Sequence, residues 1–178
     1  MGSIGWAFDR FDVIFDGWVE TGTHGGAGAD WLADHVHPTG VTMDLRDVAY
    51  RRDGVVYLVG DSAVLLPQVL TTLTGTQAFW LDAHYPVLYG DVSGTTLPLQ
   101  AELDAIRDWV EQDPTGHVAY IWADDAWIYH YPCSRTDPFP PQYPQGALDL
   151  SRWSDYALRV DPTSEGVLVL SPPLRETP

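Results

Sequence analysis

Five short apolar segments of the chain each run into an acid or a glycine. Glu20-Thr-Gly-Thr-His-Gly-Gly-Ala-Gly28 follows the first, Asp44 closes the second, and Gly60-Asp61-Ser62 follows the third. Asp82-Ala-His84 ends the fourth and Asp124-Asp125 the fifth. Carboxylates accept hydrogen bonds from hydroxyl and ammonium groups and are hard oxygen ligands for divalent cations. Glycines let a backbone turn tightly and approach a ligand without interference from a Cβ. The glycine segment is no dinucleotide fingerprint: no GxGxxG run opens a helix, and Glu20 stands where a pyrophosphate prefers neutral or positive surroundings. An acid there suits a ligand that is cationic or offers hydroxyl donors. Asp44 stands where an acid accepts hydrogen bonds from both hydroxyls of a ribose. Together these residues favour a nucleoside ligand with a positively charged centre.

Such residues act together only if the segments before them lie side by side in one sheet. The β-rich runs Ile14–Val19, Val41–Asp44, Val55–Val59, Ala78–Asp82, Val118–Ala123 and Val167–Leu170 predict strands. Ala27–His35, Ala63–Leu73 and Leu97–Gln112 between them carry apolar residues at helical spacing. Leu99, Leu103, Ile106 and Val110 make the clearest stripe, with Pro98 in the first turn. The alternation predicts an α/β fold with a mainly parallel sheet, in which ligands bind beyond the carboxyl ends of the strands. Tyr156–Val160 predicts a seventh strand, joined through the turn-rich Asp161-Pro-Thr-Ser-Glu-Gly166 to the last as an antiparallel hairpin. The proline-rich run from Pro132 to Gly146 can be neither helix nor inner strand. It reads as a connector, with a substrate-covering role as the sharper alternative.

Composition narrows the chemistry. The chain has 178 residues, the size of one ordinary domain, and no repeat or linker divides residues 1–178. Acids outnumber bases 25 to 9, for a formal charge of −16, which makes nucleic acid and anionic membrane surfaces poor partners. All nine basic residues are arginine, so Schiff-base lysines, phosphate-loop lysines and lysine general bases are excluded. A single cysteine, Cys133, and the lack of an apolar N-terminal run fit a reducing cytoplasm. The eight tryptophans read as core, with homo-oligomerisation through an aromatic patch as the alternative.

The order of Val19-Glu-Thr-Gly-Thr-His-Gly-Gly26, Thr42-Met-Asp44, Leu58-Val-Gly-Asp-Ser62, Phe79-Trp-Leu-Asp-Ala-His84 and Ile121-Trp-Ala-Asp-Asp125 resembles the class I S-adenosylmethionine-dependent methyltransferases. The similarity is greatest to small bacterial methyltransferase-like proteins. It runs through Pro98-Leu-Gln-Ala-Glu-Leu103 to the final hairpin, over nearly the whole chain. The resemblance implies a Rossmann-like, mostly parallel sheet ending in an antiparallel hairpin. It also implies that Glu20, Thr21, Gly22, Thr23 and Gly26 form the loop under the methionine moiety, that Asp44 is the ribose acid, and that Asp61 and Ser62 form the adenine-contacting turn. Asp82, Asp124 and Asp125 resemble the carboxylate triad that holds Mg²⁺ in metal-dependent sugar and catechol O-methyltransferases.

Three strand-end carboxylates suit Mg²⁺, which keeps open positions for water and substrate oxygens and lowers the pKa of a bound hydroxyl. His84, two residues after Asp82 and on the same face of an extended segment, is the expected general base, and Asp82 is the alternative. Catechol-type enzymes place a lysine just after the strand-four aspartate; here the neighbourhood is Ala83-His84-Tyr85. The expected activity is methyl transfer to a hydroxyl of a small molecule or glycan. Two other readings account for parts of the pattern. One is a non-catalytic binding or assembly protein on the same fold. The other is a metal-dependent hydrolase using Asp82, His84, Asp124 and Asp125, which leaves the glycine loop, Glu20 and Asp44 without a role. His24, His35, His37 and His117 read as surface or loop residues, and Trp127, Tyr129 and Tyr131 as packing around the exit of strand five.

Overall fold

The computed structural model describes Ile4, residues 12–83, residues 97–129, Tyr131, residues 148–161 and residues 166–173. Among the described residues there are seven strands: β1 (Gly17–Thr21), β2 (Gly40–Asp44), β3 (Val55–Val59), β4 (Gly75–Leu81), β5 (His117–Ala123), β6 (Ala157–Asp161) and β7 (Val167–Ser171). They form one sheet in the order β3-β2-β1-β4-β5-β7-β6. The first five are parallel, and β7 runs antiparallel to both β5 and β6. The chain is therefore α/β, a Rossmann-like arrangement with a C-terminal antiparallel hairpin, as the apolar pattern predicts.

Among the described residues, three α-helices flank the sheet: α1 (Ala27–His35), α2 (Ser62–Leu70) and α3 (Leu99–Gln112). Side chains alternate across each strand, so each face buries its own set. Trp18, Ala78, Trp80 and Trp122 pack with Ala29 and Leu32 of α1 on one face. Val19, Met43, Phe79, Leu81 and Ile121 pack with Leu66 and Leu70 of α2 and Leu103 and Ile106 of α3 on the other. Coverage of both faces is what lets the inner strands read as continuous apolar runs.

Local chemistry sets the ends of these elements. Asp61 caps α2, its Oδ1 accepting the backbone N–H of Ala63 at 2.9 Å. The first strand starts at Gly17, three residues later than the apolar run predicts. There Asp16 exchanges two hydrogen bonds with Thr76 at 2.8 Å each, N–H to backbone carbonyl and carboxylate to backbone N–H, while Ile14 is left 92% exposed. Five of the eight tryptophans, Trp18, Trp80, Trp109, Trp122 and Trp153, are buried in the core. Among the described residues, no helix is long and apolar enough to cross a membrane.

Candidate functional site

The carboxyl edge of the sheet is held together beyond the last strand residues. Gly22 and Thr23 donate their backbone N–H groups to Met43 O at 2.8 and 3.2 Å. Gly60 donates to Asp44 O at 2.8 Å, Asp82 to Thr21 O at 3.0 Å and Asp124 to Leu81 O at 3.0 Å. The residues that follow β1 to β5 are thus fixed relative to one another by the backbone itself.

The glycine loop crosses this edge in a conformation that few residues tolerate. Gly22 has φ +87°, and a Cβ there would lie 2.5 Å from Asp82 O. A left-handed residue pressed against a neighbouring backbone has to be glycine. Gly26, at φ +81°, starts α1 beneath the ring of Tyr50. Between them His24, at φ +46°, donates its backbone N–H to Asp44 Oδ2 at 2.8 Å, and Arg46 donates to Oδ1 at 3.0 Å. Asp44 is therefore an organiser of the loop, with lone pairs left on both oxygens for a ligand hydroxyl.

Two acids are buried just below the edge, one on each face of the sheet. Glu20, 2% exposed, lies on the α1 face with its Oε1 against the Cα side of Gly28. Thr42 Oγ1 donates to Glu20 Oε2 at 2.5 Å, and the Thr23 hydroxyl lies 2.6 Å from Thr42 Oγ1, so a chain of buried hydroxyls joins the loop to the acid. Burial pushes the Glu20 carboxyl up to about 8, against the opposing hydrogen bond from Thr42, with Asp82, Asp30 and Asp44 adding to the rise. Glu102 of α3, 1% exposed, lies on the other face. Burial pushes it up to about 7; the hydroxyls of Ser62 and Thr21 are near enough to soften the rise, while Asp61 and Asp82 add to it. Neither hydroxyl closes a directed hydrogen bond: both carboxyl oxygens of Glu102, and Thr21 Oγ1, are buried without a partner.

Glu102 also lines a crevice of about 10 Å³ with Asp82, Ala83, Leu99, Asp124 and Asp125. Three of the expected metal ligands are thereby brought to one place. They do not form a ready-made cage: among the described residues no group of three His, Cys, Asp or Glu side chains is arranged to hold an ion. Asp125, at φ +53°, takes the indole N–H of Trp127 on Oδ1 at 3.0 Å and donates its own backbone N–H to Asp124 Oδ1 at 2.9 Å. It shapes the turn after β5 as much as it faces the crevice.

Of the expected site residues, Glu20, Thr21, Gly22, Thr23, Gly26, Asp44, Asp61, Ser62, Asp82, Asp124 and Asp125 all stand at this edge. His84 and the run from Pro132 to Gly146 lie outside the described residues. Ile128 and Tyr129 are buried, consistent with packing at the exit of β5. Two of the histidines with no expected role have structural partners. The ring of His35 stacks on Trp31 and that of His117 on Trp109, with centroids 4.6 and 4.3 Å apart.

Strand order and the C-terminal hairpin together match a known architecture. The chain has the class I methyltransferase fold. A SAM-dependent methyltransferase from Anabaena variabilis superposes with a TM-score of 0.52 over 94% of this chain and 82% of its own, at 8% identity. A protein from Corynebacterium glutamicum superposes with a TM-score of 0.51 over 89% of this chain and 73% of its own, at 14% identity. At these identities the likeness is one of fold. No family model matches the chain, and none of the curated proteins does. Within the methyltransferase fold, the sequence pattern did not single out Glu102. Its signal was an acid three residues after Leu99, on the apolar stripe of a strongly amphipathic helix.

Proposed function

We propose that this protein is an S-adenosylmethionine-dependent methyltransferase that methylates a hydroxyl of a small molecule or glycan. The observation that carries this reading is the coupling of the glycine loop to Asp44, through His24 N–H at 2.8 Å, on a sheet of methyltransferase topology. The loop offers the close backbone approach that the methionine end of the donor needs, and the space over Gly22 is one that a Cβ would fill. Asp44 accepts the ribose hydroxyls, and Asp61 and Ser62 at the start of α2 border the adenine. When bound, the donor supplies an electrophilic methyl on a sulfonium; transfer breaks its S–C bond, forms an O–C bond and releases the hydroxyl proton.

The chain's part is to hold donor and acceptor in line and to receive that proton. Asp82, at the end of the central strand β4 and beside Gly22, is the described base for it, with His84 as the second candidate from the sequence. The donor set of the crevice suits Mg²⁺, since all its polar groups are hard oxygens and the Glu102 carboxyl there lacks a partner. Mg²⁺ commonly uses one or two carboxylates and keeps its waters, so an open site of Asp82 and Asp124, with Asp125 behind them, is adequate without a closed cage. Bound there, the ion would lower the pKa of the acceptor hydroxyl.

Calorimetric titration with S-adenosylmethionine and S-adenosylhomocysteine, each with Mg²⁺ and with EDTA, tests the reading on wild type and Asp44→Ala. Binding by wild type that is lost in the variant is expected. Absence of binding under every condition would overturn it.

A further inference from the structure

The segment 45–54 between β2 and β3 starts directly after Asp44 and reaches across to α1. Tyr57 of β3 shapes it: the phenol oxygen accepts the Val48 N–H at 2.8 Å and donates to Arg46 O at 2.6 Å. Arg51 lies over the Tyr57 ring, 4.8 Å from its centre, and donates to Val48 O at 3.1 Å. Two further side chains tie the segment to α1. The Tyr50 hydroxyl donates to Asp30 Oδ1 at 3.0 Å, while Arg52 donates to the same oxygen at 3.1 Å, to Asp30 O at 3.0 Å and to Asp34.

Tyr50 makes a contact that Arg52 does not. Its ring fills the place of the Cβ that Gly26 lacks, and the three atoms nearest to that place are all carbons of the ring. Gly26 is the joint between loop and helix: its N–H donates to Thr23 O at 2.7 Å, its carbonyl accepts the Asp30 N–H at 2.9 Å, and its φ is +81°. On one side of this joint Gly22 and Thr23 are held by Met43 O and His24 by Asp44, and on the other side lies the helix. A glycine at such a joint leaves the chain many other conformations, and a rigid surface pressed on it removes them. The Tyr50 ring, 9% exposed and in one cluster with Trp18, Ala29 and Leu32, is such a surface.

Resting on the methyl-donor site proposed above, we infer that Tyr50 is a positioning residue: its ring, seated on Gly26, keeps the glycine loop in the shape that receives the donor. It acts through Gly26. Preorganisation lowers the ordering cost of binding, so loss of the ring should tell on affinity out of proportion to stability.

The test uses wild type, Tyr50→Phe, Tyr50→Leu, Tyr50→Met and Arg52→Gln, each titrated with S-adenosylmethionine and S-adenosylhomocysteine and melted without ligand. Tyr50→Phe keeps the ring and loses the bond to Asp30, so it should bind within about twofold of wild type. Tyr50→Leu and Tyr50→Met lose the flat face and should each lose about tenfold in affinity; the methionine variant, apolar and adaptable, gives the comparison should the leucine variant not fold. Arg52→Gln gives up the ion pairs to the same helix. Its melting temperature should fall by about 2–4 °C with affinity kept within about twofold. Amide hydrogen exchange in the unliganded leucine or methionine variant, well below its melting temperature, should accelerate about tenfold at Gly26 and not at Phe79 of β4.

Leucine and methionine variants that bind as wild type does would overturn the inference and leave the cofactor reading intact. An equal loss of affinity in Tyr50→Phe or in Arg52→Gln would also overturn it, because the hydroxyl or the ion pairs would then hold the loop as well as the ring does. Exchange accelerated alike at Gly26 and Phe79 would overturn it too, marking Tyr50 as structural. Failure of wild type to bind either ligand would overturn both readings.

Discussion

Asp44 Oδ2 accepts the backbone N–H of His24 at 2.8 Å, so the acid that ends β2 also holds the tip of the loop that follows β1. Its other oxygen takes Arg46 N–H at 3.0 Å. A nucleoside ligand would meet a carboxylate already oriented by two backbone donors, and preorganisation of this kind lowers the ordering cost of binding. Asp44→Asn keeps one acceptor oxygen but loses the charge and one backbone bond. Affinity for S-adenosylhomocysteine should fall by about tenfold or more, while stability falls by only ~0.5–1.5 kcal/mol because both bonds are exposed. Titration calorimetry paired with urea denaturation separates the two effects; a variant that binds as wild type does would remove Asp44 from the site.

Gly22 gives a second, purely steric prediction. At φ +87°, with Asp82 O 2.5 Å from an added Cβ, alanine must either strain the backbone or lift the loop away from β4. The conformational term alone costs about 1–2 kcal/mol. Gly22→Ala should therefore weaken ligand binding more than it weakens the fold. Gly25 is a control within the same loop, since a Cβ there meets nothing within 4 Å. Gly25→Ala should be close to neutral in both measurements, and equal effects of the two substitutions would show that the contact with Asp82 does not matter.

Arg107 links α3 to the segment before β6. Its guanidinium is 13% exposed, donates to both oxygens of Asp155 at 2.9 and 3.2 Å and to Glu111 at 2.8 Å, and lies 5.4 Å from the centre of the Trp153 ring. A planar fork held on a ring is not reproduced by an ammonium. Arg107→Lys should lose nearly as much stability as Arg107→Ala, on the order of 1–3 kcal/mol, with ligand affinity unchanged well below the melting temperature. Full rescue of the urea midpoint by lysine would contradict the fork-and-ring account.

The parts of this architecture that follow a period were legible in the sequence. Ala27–His35 and Val55–Val59 have the bounds that their apolar spacing predicts, because nothing long-range competes with it there. Ile14 was misplaced because its β-rich neighbourhood is overridden by a distant contact, the paired bonds of Asp16 to Thr76, which fixes where β1 enters the sheet. At the site, Glu20 and Asp44 could be read from their positions at strand ends. Glu102 could not, since what distinguishes it is its burial among Thr21, Ser62 and Asp82, which arrive from other elements. The double duty of Asp125, carboxylate to Trp127 and backbone to Asp124, likewise depends on a turn conformation that the adjacent letters do not encode.

Glu20 makes the unliganded protein pH-sensitive in a direction opposite to that of most acidic proteins. Its carboxyl titrates near 4.5 when unfolded and, raised by burial, near 8 when folded. Between those values the folded state binds more protons than the unfolded state, so stability falls as pH rises. The contribution is fully present below about pH 4.5 and is lost by about pH 8, and Glu102, raised to about 7, adds to it with the same sign. Asp34, held low by Arg52, and Glu111, held low by Arg107 and Arg152, act the other way; both are exposed, and they lose their small contribution only on strong acidification. Stability should therefore peak on the acid side, near about pH 5, and decline by a few kcal/mol towards about pH 8. Urea midpoints measured across that range should trace the decline, and Glu20→Gln should reduce it to the part that Glu102 contributes, since a neutral amide can still accept from Thr42 and has no proton to lose. A wild-type profile that rises from pH 5 to 8 would mean that Glu20 is ionised in the folded protein, with a positive group, absent from its described surroundings, compensating the charge.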